Sequence, residues 1–271
     1  MLLRLKKYQK NENICHPEKI YNFSPVISKL QLATTSTLVI FEINDVLIIP
    51  SNHDDDFSYP YRAELLTSML TRLKKNADVL QSIILSSTKY VLVDDEIKNI
   101  FNILQSKHIP AIALTSINTG KFGIIPSMEN LTIKTLKNVG IPFKALATKF
   151  KNTSKNSTSP NEPLLKSGIV FTSNFDKGEA LSYMFRKHNY YPKNIISIDN
   201  NLNRFESLKT LCMELNINFC AFDYNKSPLI PPPTIDPQLE KLRFEILEKQ
   251  LVWLSYKQLN SILFHTTTGQ I

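Results

Sequence analysis

Five short apolar runs, most of them separated by helical patterns, set the tightest limit on how this chain can fold. LVIF at 38–41, AIAL at 111–114, GIVF at 168–171, NIISI at 194–198 and FCAF at 219–222 are near-continuous rather than alternating, as strands buried on both faces are. DDEIKNIFNILQSKH puts Ile97, Ile100, Phe101 and Leu104 on one helical face, with Asp94 or Asp95 as N-cap. DKGEALSYMFRKHN opens with Asp176 and Glu179 spaced as a capping box, and the helix after Asp199 aligns Phe205, Leu208, Cys212 and Leu215. Strands and helices in this order predict an α/β fold, a doubly wound and mostly parallel sheet covered by helices.

The spacing also predicts how the chain is divided. Residues 1–36 read as an N-terminal extension and 37–271 as the core. About 48–92 form an insertion, a small helical cap made of the acidic loop NHDDDFSYPY and the helix RAELLTSMLTRLKK. SMENLTIKTLKNVG predicts a helix stopped by glycine, and KNTSKNSTSPNEP a polar loop. After PLIPPPTIDP, a helical tail is expected over about 236–264.

Composition narrows the classes of function. Hydrophobic content of 42% and charged content of 21% are those of a globular chain, and no apolar stretch reaches membrane-spanning length. The first residues lack the apolar segment and cleavage site of a signal peptide. Cys15, Cys212 and Cys220 are too scattered for a disulfide framework or a zinc site, which points to a reducing compartment. The net charge of +8 is spread along the chain without an arginine-rich block, which argues against nucleic acid and leaves an anionic membrane surface as a candidate partner.

Polar groups collect where the apolar runs stop. Glu42, Asn44 and Asp45 follow the first, Thr115 and Ser116 end the second, and Asp199 and Asn200 end the fourth. Ligands of doubly wound sheets bind beyond the carboxyl ends of the strands, so these residues are the candidate site. Lys177 joins them at the first position of its helix, where backbone amides favour an anion. The six glycines form no phosphate-binding loop to compete with them.

Taken in order, VIFEINDVL, AIALTS, DKGEAL and IISIDNN resemble the four motifs of the haloacid dehalogenase-like superfamily of phosphohydrolases. The likeness runs from about Thr37 to Ile262, and within the superfamily the chain resembles an uncharacterised branch found largely in bacteria that live inside host cells. It implies a Rossmann-like core in which Glu42 stands at the nucleophile position and Asn44 at the acid/base position. Thr115, Ser116 and Lys177 would hold phosphoryl oxygens, with Lys177 also serving catalysis. Mg²⁺ would be bound by Glu42, Asn44, Asp199 and Asn200. It also implies a chain that is cytoplasmic or delivered into a host cell.

Two departures from the family pattern bear on catalysis. The motif carries Asp where this chain has Glu42, and the added methylene displaces the carboxylate by ~1.5 Å; a misplacement of ~1 Å already costs ~10²-fold. Asn44 neither gives nor takes a proton at neutral pH, which removes a factor of about 10²–10⁴. Together they forfeit roughly 5–8 kcal/mol of barrier lowering. The expectation is a phosphatase-like protein with impaired turnover and weakened Mg²⁺ binding that recognises a phosphorylated small molecule, a phosphoprotein or a host protein. The alternatives are an active Mg²⁺-dependent phosphatase, in which Glu42 or Asp45 does the chemistry, and a non-catalytic interaction module. In the cap loop, His53 with Asp54, Asp55 and Asp56 is read as solvated rather than metal-binding. Phe57, Tyr59 and Tyr61 are candidates to stack on an aromatic phosphoester such as phosphotyrosine.

Overall fold

The computed structural model describes residues 14–51, 60–73, 76–150, 162–225 and 235–267. In chain order the strands are β1 (Glu18–Ile20), β2 (Thr37–Phe41), β3 (Ile48–Pro50), β4 (Tyr90–Leu92), β5 (Ala111–Thr115), β6 (Leu164–Lys166), β7 (Ile169–Phe171), β8 (Asn194–Asp199) and β9 (Asn218–Tyr224). The helices are α1 (Ser24–Leu32), α2 (Pro60–Arg72), α3 (Ala77–Ser87), α4 (Glu96–Ser106), α5 (Met128–Asn138), α6 (Phe143–Leu146), α7 (Lys177–His188), α8 (Asn203–Glu214), α9 (Pro237–Gln250) and α10 (Tyr256–Thr267). They fall into two compact units: the described residues of Met1–Leu47, Asp94–Ser116 and Pro142–Lys226 form one, and those of Ile48–Val93, Ile117–Ile141 and Ser227–Ile271 the other.

The first unit holds a seven-stranded sheet in the order β1-β9-β8-β2-β5-β7-β6. Every neighbouring pair is parallel except β6 with β7. The chain runs outward from β2 through β5 to β7, then returns to the other side of β2 to lay down β8 and β9. That reversal makes this a Rossmann-like, doubly wound fold whose switch point lies at β2. All five residues of β2 are buried, because both faces of the strand are covered. Leu38 and Ile40 join a core with Leu181, Met184 and Phe185 of α7 and Phe205, Leu208 and Cys212 of α8. On the opposite face, Phe41 stacks on Phe101 of α4 with ring centroids 5.6 Å apart.

The first unit departs from the sequence reading in two places. Residues 18–32 are no detached extension, since β1 pairs with β9 as the sheet's edge strand and Phe23, at the start of α1, stacks on Tyr224 at 4.5 Å. Leu215 lies past the end of α8 and is 38% exposed, and Leu211 takes its place on the buried face. Of the two capping candidates expected for α4, Asp94 accepts the Glu96 N–H at 2.8 Å and Asp95 makes no capping bond.

The second unit pairs β3 with β4 antiparallel and packs helices around Met69, Leu80, Ile83, Phe244, Leu247 and Trp253. Arg72 of α2 forms a two-pronged bond with Glu248 of α9 at 3.0 and 2.5 Å. The helical tail consists of two helices. α9 ends at Leu251, whose left-handed backbone (φ 58°) turns the chain before α10. The acidic residues of the predicted cap loop, with His53, Phe57 and Tyr59, lie outside the described residues. Tyr61 donates to the Pro237 carbonyl at 3.5 Å. No described helix is long and apolar enough to cross a membrane.

Candidate functional site

Glu42 is the first residue after β2, and its backbone N–H still bonds the Ile198 carbonyl of β8 at 2.9 Å. This fixes its side chain at the switch point, with only 3% of the residue exposed. Thr115 closes β5 on one side of β2 and Asp199 closes β8 on the other, both 1% exposed. The fourth member comes from a helix. Asp176 accepts the Glu179 N–H at 2.8 Å and Glu179 accepts the Asp176 N–H at 3.2 Å, and this capping box starts α7 at Lys177.

The start of α7 is held close to α8 by a glycine. A Cβ on Gly178 would sit 2.3 Å from the Ser207 carbonyl oxygen of α8, and the Gly178 N–H donates to the Ser207 hydroxyl at 3.1 Å. The clash would fall on backbone rather than on a flexible side-chain tip. Gly178→Ala is therefore expected to destabilise the chain by about 1–3 kcal/mol through overpacking, measured as a lower urea midpoint at unchanged slope. An unchanged midpoint would show that the helices yield at no cost.

Thr115 and Lys177 meet on the Glu42 carboxylate, and Lys177 links it to Asp199. Glu42 Oε1 accepts the Ile43 N–H and the Thr115 hydroxyl, each at 2.8 Å, and Glu42 Oε2 accepts the Lys177 ammonium at 2.8 Å. Lys177 also donates to Asp199 Oδ2 at 2.5 Å. A fifth residue, which sequence reasoning did not single out, completes the cluster. Arg204, the second residue of α8, donates from Nη1 to Glu42 Oε2 at 2.8 Å and to Asp199 Oδ1 at 3.4 Å. Asp199 Oδ1 further accepts the N–H groups of Asn200 at 2.8 Å and Asn201 at 3.2 Å. Burial pushes the Asp199 carboxyl above its ordinary range; Lys177 opposes the shift and the charge on Glu42 adds to it.

The other candidates lie further toward the surface. Asn44, Ser116 and Asn200 are exposed, and Asp45 is half-buried with a left-handed backbone (φ 61°). The strand-end acid Asp223 of β9, 5% exposed and held by the Asn225 amide at 2.7 Å, was also not anticipated.

These residues, as arranged, do not fit the Mg²⁺ that the resemblance implies. Mg²⁺ needs an octahedral set of hard oxygens. A carboxylate offers about four lone-pair sites, and Glu42 has all four engaged by N–H or O–H donors. An ammonium and a guanidinium already bridge the two carboxylates. Among the described residues, no three His, Cys, Asp or Glu side chains gather where they could hold a metal ion.

Two curated relatives resemble this chain, an uncharacterised protein of Rickettsia felis, 28% identical over 176 residues, and an uncharacterised protein of Rickettsia conorii, 27% identical over 173. Each match covers 59% of this chain and 58% of the relative, so the chain spans little more than half the length of the curated relatives it matches. The model of a family described as a protein of unknown function (DUF2608) matches residues 19–260, and the chain belongs to that family.

Proposed function

We propose that this chain is a haloacid dehalogenase-like phosphatase fold without phosphoryl-transfer turnover, and that it works by binding, with a protein partner favoured over a small phosphoester. One observation carries the reading: the carboxylate at the nucleophile position is buried and accepts four hydrogen bonds, which leaves no lone pair directed at an incoming phosphorus. The acid/base position offers no proton transfer either, because its side chain is an exposed amide, Asn44. Thr115 and Lys177, which would hold phosphoryl oxygens, already donate inward to Glu42 and Asp199. A phosphorylated ligand would have to break those buried bonds, whereas a partner docking on the surface leaves them intact.

The test is hydrolysis of an aryl phosphate and of phosphotyrosine peptides by the purified chain, with and without Mg²⁺. The expected rate equals the buffer background and matches that of Asp199→Ala. Hydrolysis above background that Asp199→Ala abolishes would overturn the reading.

A further inference from the structure

We infer that Arg204 is a resident cation that takes the place of a divalent metal in this site and closes it to Mg²⁺ and Mn²⁺. The inference starts from charge. Glu42 and Asp199 bring two negative charges to one buried spot, and Lys177 and Arg204 bring two positive charges to the same oxygens. The cluster is neutral without any ion from solution.

Position separates the roles of the two cations. Lys177 is 6% exposed and enters from α7 onto Glu42 Oε2 and Asp199 Oδ2. Arg204 comes from α8, and its side chain is 34% exposed. Its Nη1 lies on Glu42 Oε2 and on Asp199 Oδ1, so one nitrogen bridges both carboxylates from the solvent side. A divalent ion entering from solvent to share those oxygens would have to displace the guanidinium and then stand beside the Lys177 ammonium. Guanidinium suits this place, since it keeps its charge at any physiological pH and donates in fixed directions. A cation in the first turn of a helix is opposed by the helix dipole, so the location of Arg204 is explained by the carboxylates it meets and not by the helix that carries it.

The inference rests on the reading of this cluster as the phosphatase-like site, and the two fail separately. Thermal unfolding of the full chain is followed while MgCl₂ or MnCl₂ is titrated, against NaCl at matched ionic strength. Wild type is expected to show no metal-specific shift. Arg204→Gln, which leaves two carboxylates facing one ammonium, is expected to gain roughly 2–5 °C with millimolar metal, since a ligand that binds only the folded state raises its melting point. Arg204→Lys keeps the charge and is expected to behave as wild type. A metal-specific rise in wild type overturns the inference, as does an Arg204→Gln chain that gains nothing from metal, whether it folds or not. Hydrolysis that persists in a chelator overturns the absence of turnover alone.

Discussion

Replacing Lys177 by Met is expected to lower the unfolding free energy of the sheet-bearing unit by about 3–5 kcal/mol, the cost of breaking a buried ion pair from one side. Methionine matches the length of the lysine stem, so the loss reports charge more than volume. The lysine ammonium reaches Glu42 Oε2 at 2.8 Å and Asp199 Oδ2 at 2.5 Å from within the core. Without it, two carboxylates that are 3% and 2% exposed in their side chains keep, among the described residues, the Arg204 guanidinium as their cation. Arg204 is a third exposed and its bond to Asp199 is 3.4 Å long, so solvent screens what it can return. Urea unfolding followed by far-ultraviolet circular dichroism measures the loss. The double variant Lys177→Met/Glu42→Gln is expected to lose less than the sum of the two single variants, because it removes one of the stranded charges as well. Additive losses, or a single-variant loss below about 1 kcal/mol, would show that the cluster is solvated and weakly coupled.

The parts of this site that could be read from sequence are those that interrupt an apolar run. Glu42, Thr115 and Asp199 each end a strand buried on both faces, and a polar side chain there stands out against its neighbours. Lys177 was marked by the capping box of α7. Arg204 had no such background, since it lies in the polar stretch NNLNRFES, where an arginine reads as solvated. One signal was available: Lys177 and Arg204 both sit in the first turn of a helix, where a cation is disfavoured. Two such cations close to the same strand-end acids imply a negative charge that holds them.

The fold shows the same division. Strands β2, β5, β8 and β9, with five to seven residues each, were legible, and β7 was legible because all three of its residues are apolar and buried. β1, β3, β4 and β6 have three residues each, too few to show a period, and β1 buries only Ile20. That is why residues 18–32 read as an extension. The break after α9 was hidden for another reason. Leu251 adopts a left-handed backbone that glycine or asparagine ordinarily supplies, so the usual helix-stop residue is absent from the sequence.

In the second unit, Glu240→Ala is expected to cost about 3–5 kcal/mol, although Glu240 looks in sequence like one more charged residue of a surface helix. Its side chain and those of Arg62 and Arg243 are 0% exposed. Oε1 of Glu240 accepts Arg62 Nε at 2.6 Å and the Tyr256 hydroxyl at 2.7 Å, and it lies 3.9 Å from Arg243 Nη1. Burial works against the charge on Arg62, but its bonds to Glu240 and Tyr256 outweigh this and hold its pKa above the ordinary value. One carboxylate therefore faces two buried guanidinium groups, and its removal takes a buried negative charge away from both. Arg243 keeps its place over the Trp253 ring, 3.6 Å from the centroid, but a cation–π contact is worth only about 0.5–2 kcal/mol and does not replace an anion. The same geometry predicts that Arg62→Met/Glu240→Leu recovers only part of the loss, because buried Arg243 keeps its charge and still loses the carboxylate 3.9 Å away. Trp253 is the only tryptophan of the chain and belongs to this unit, so its fluorescence reports the transition directly. A Glu240→Ala transition that coincides with wild type would mean that the two arginines reach water, and a double variant as stable as wild type would mean that Arg243 does not depend on Glu240.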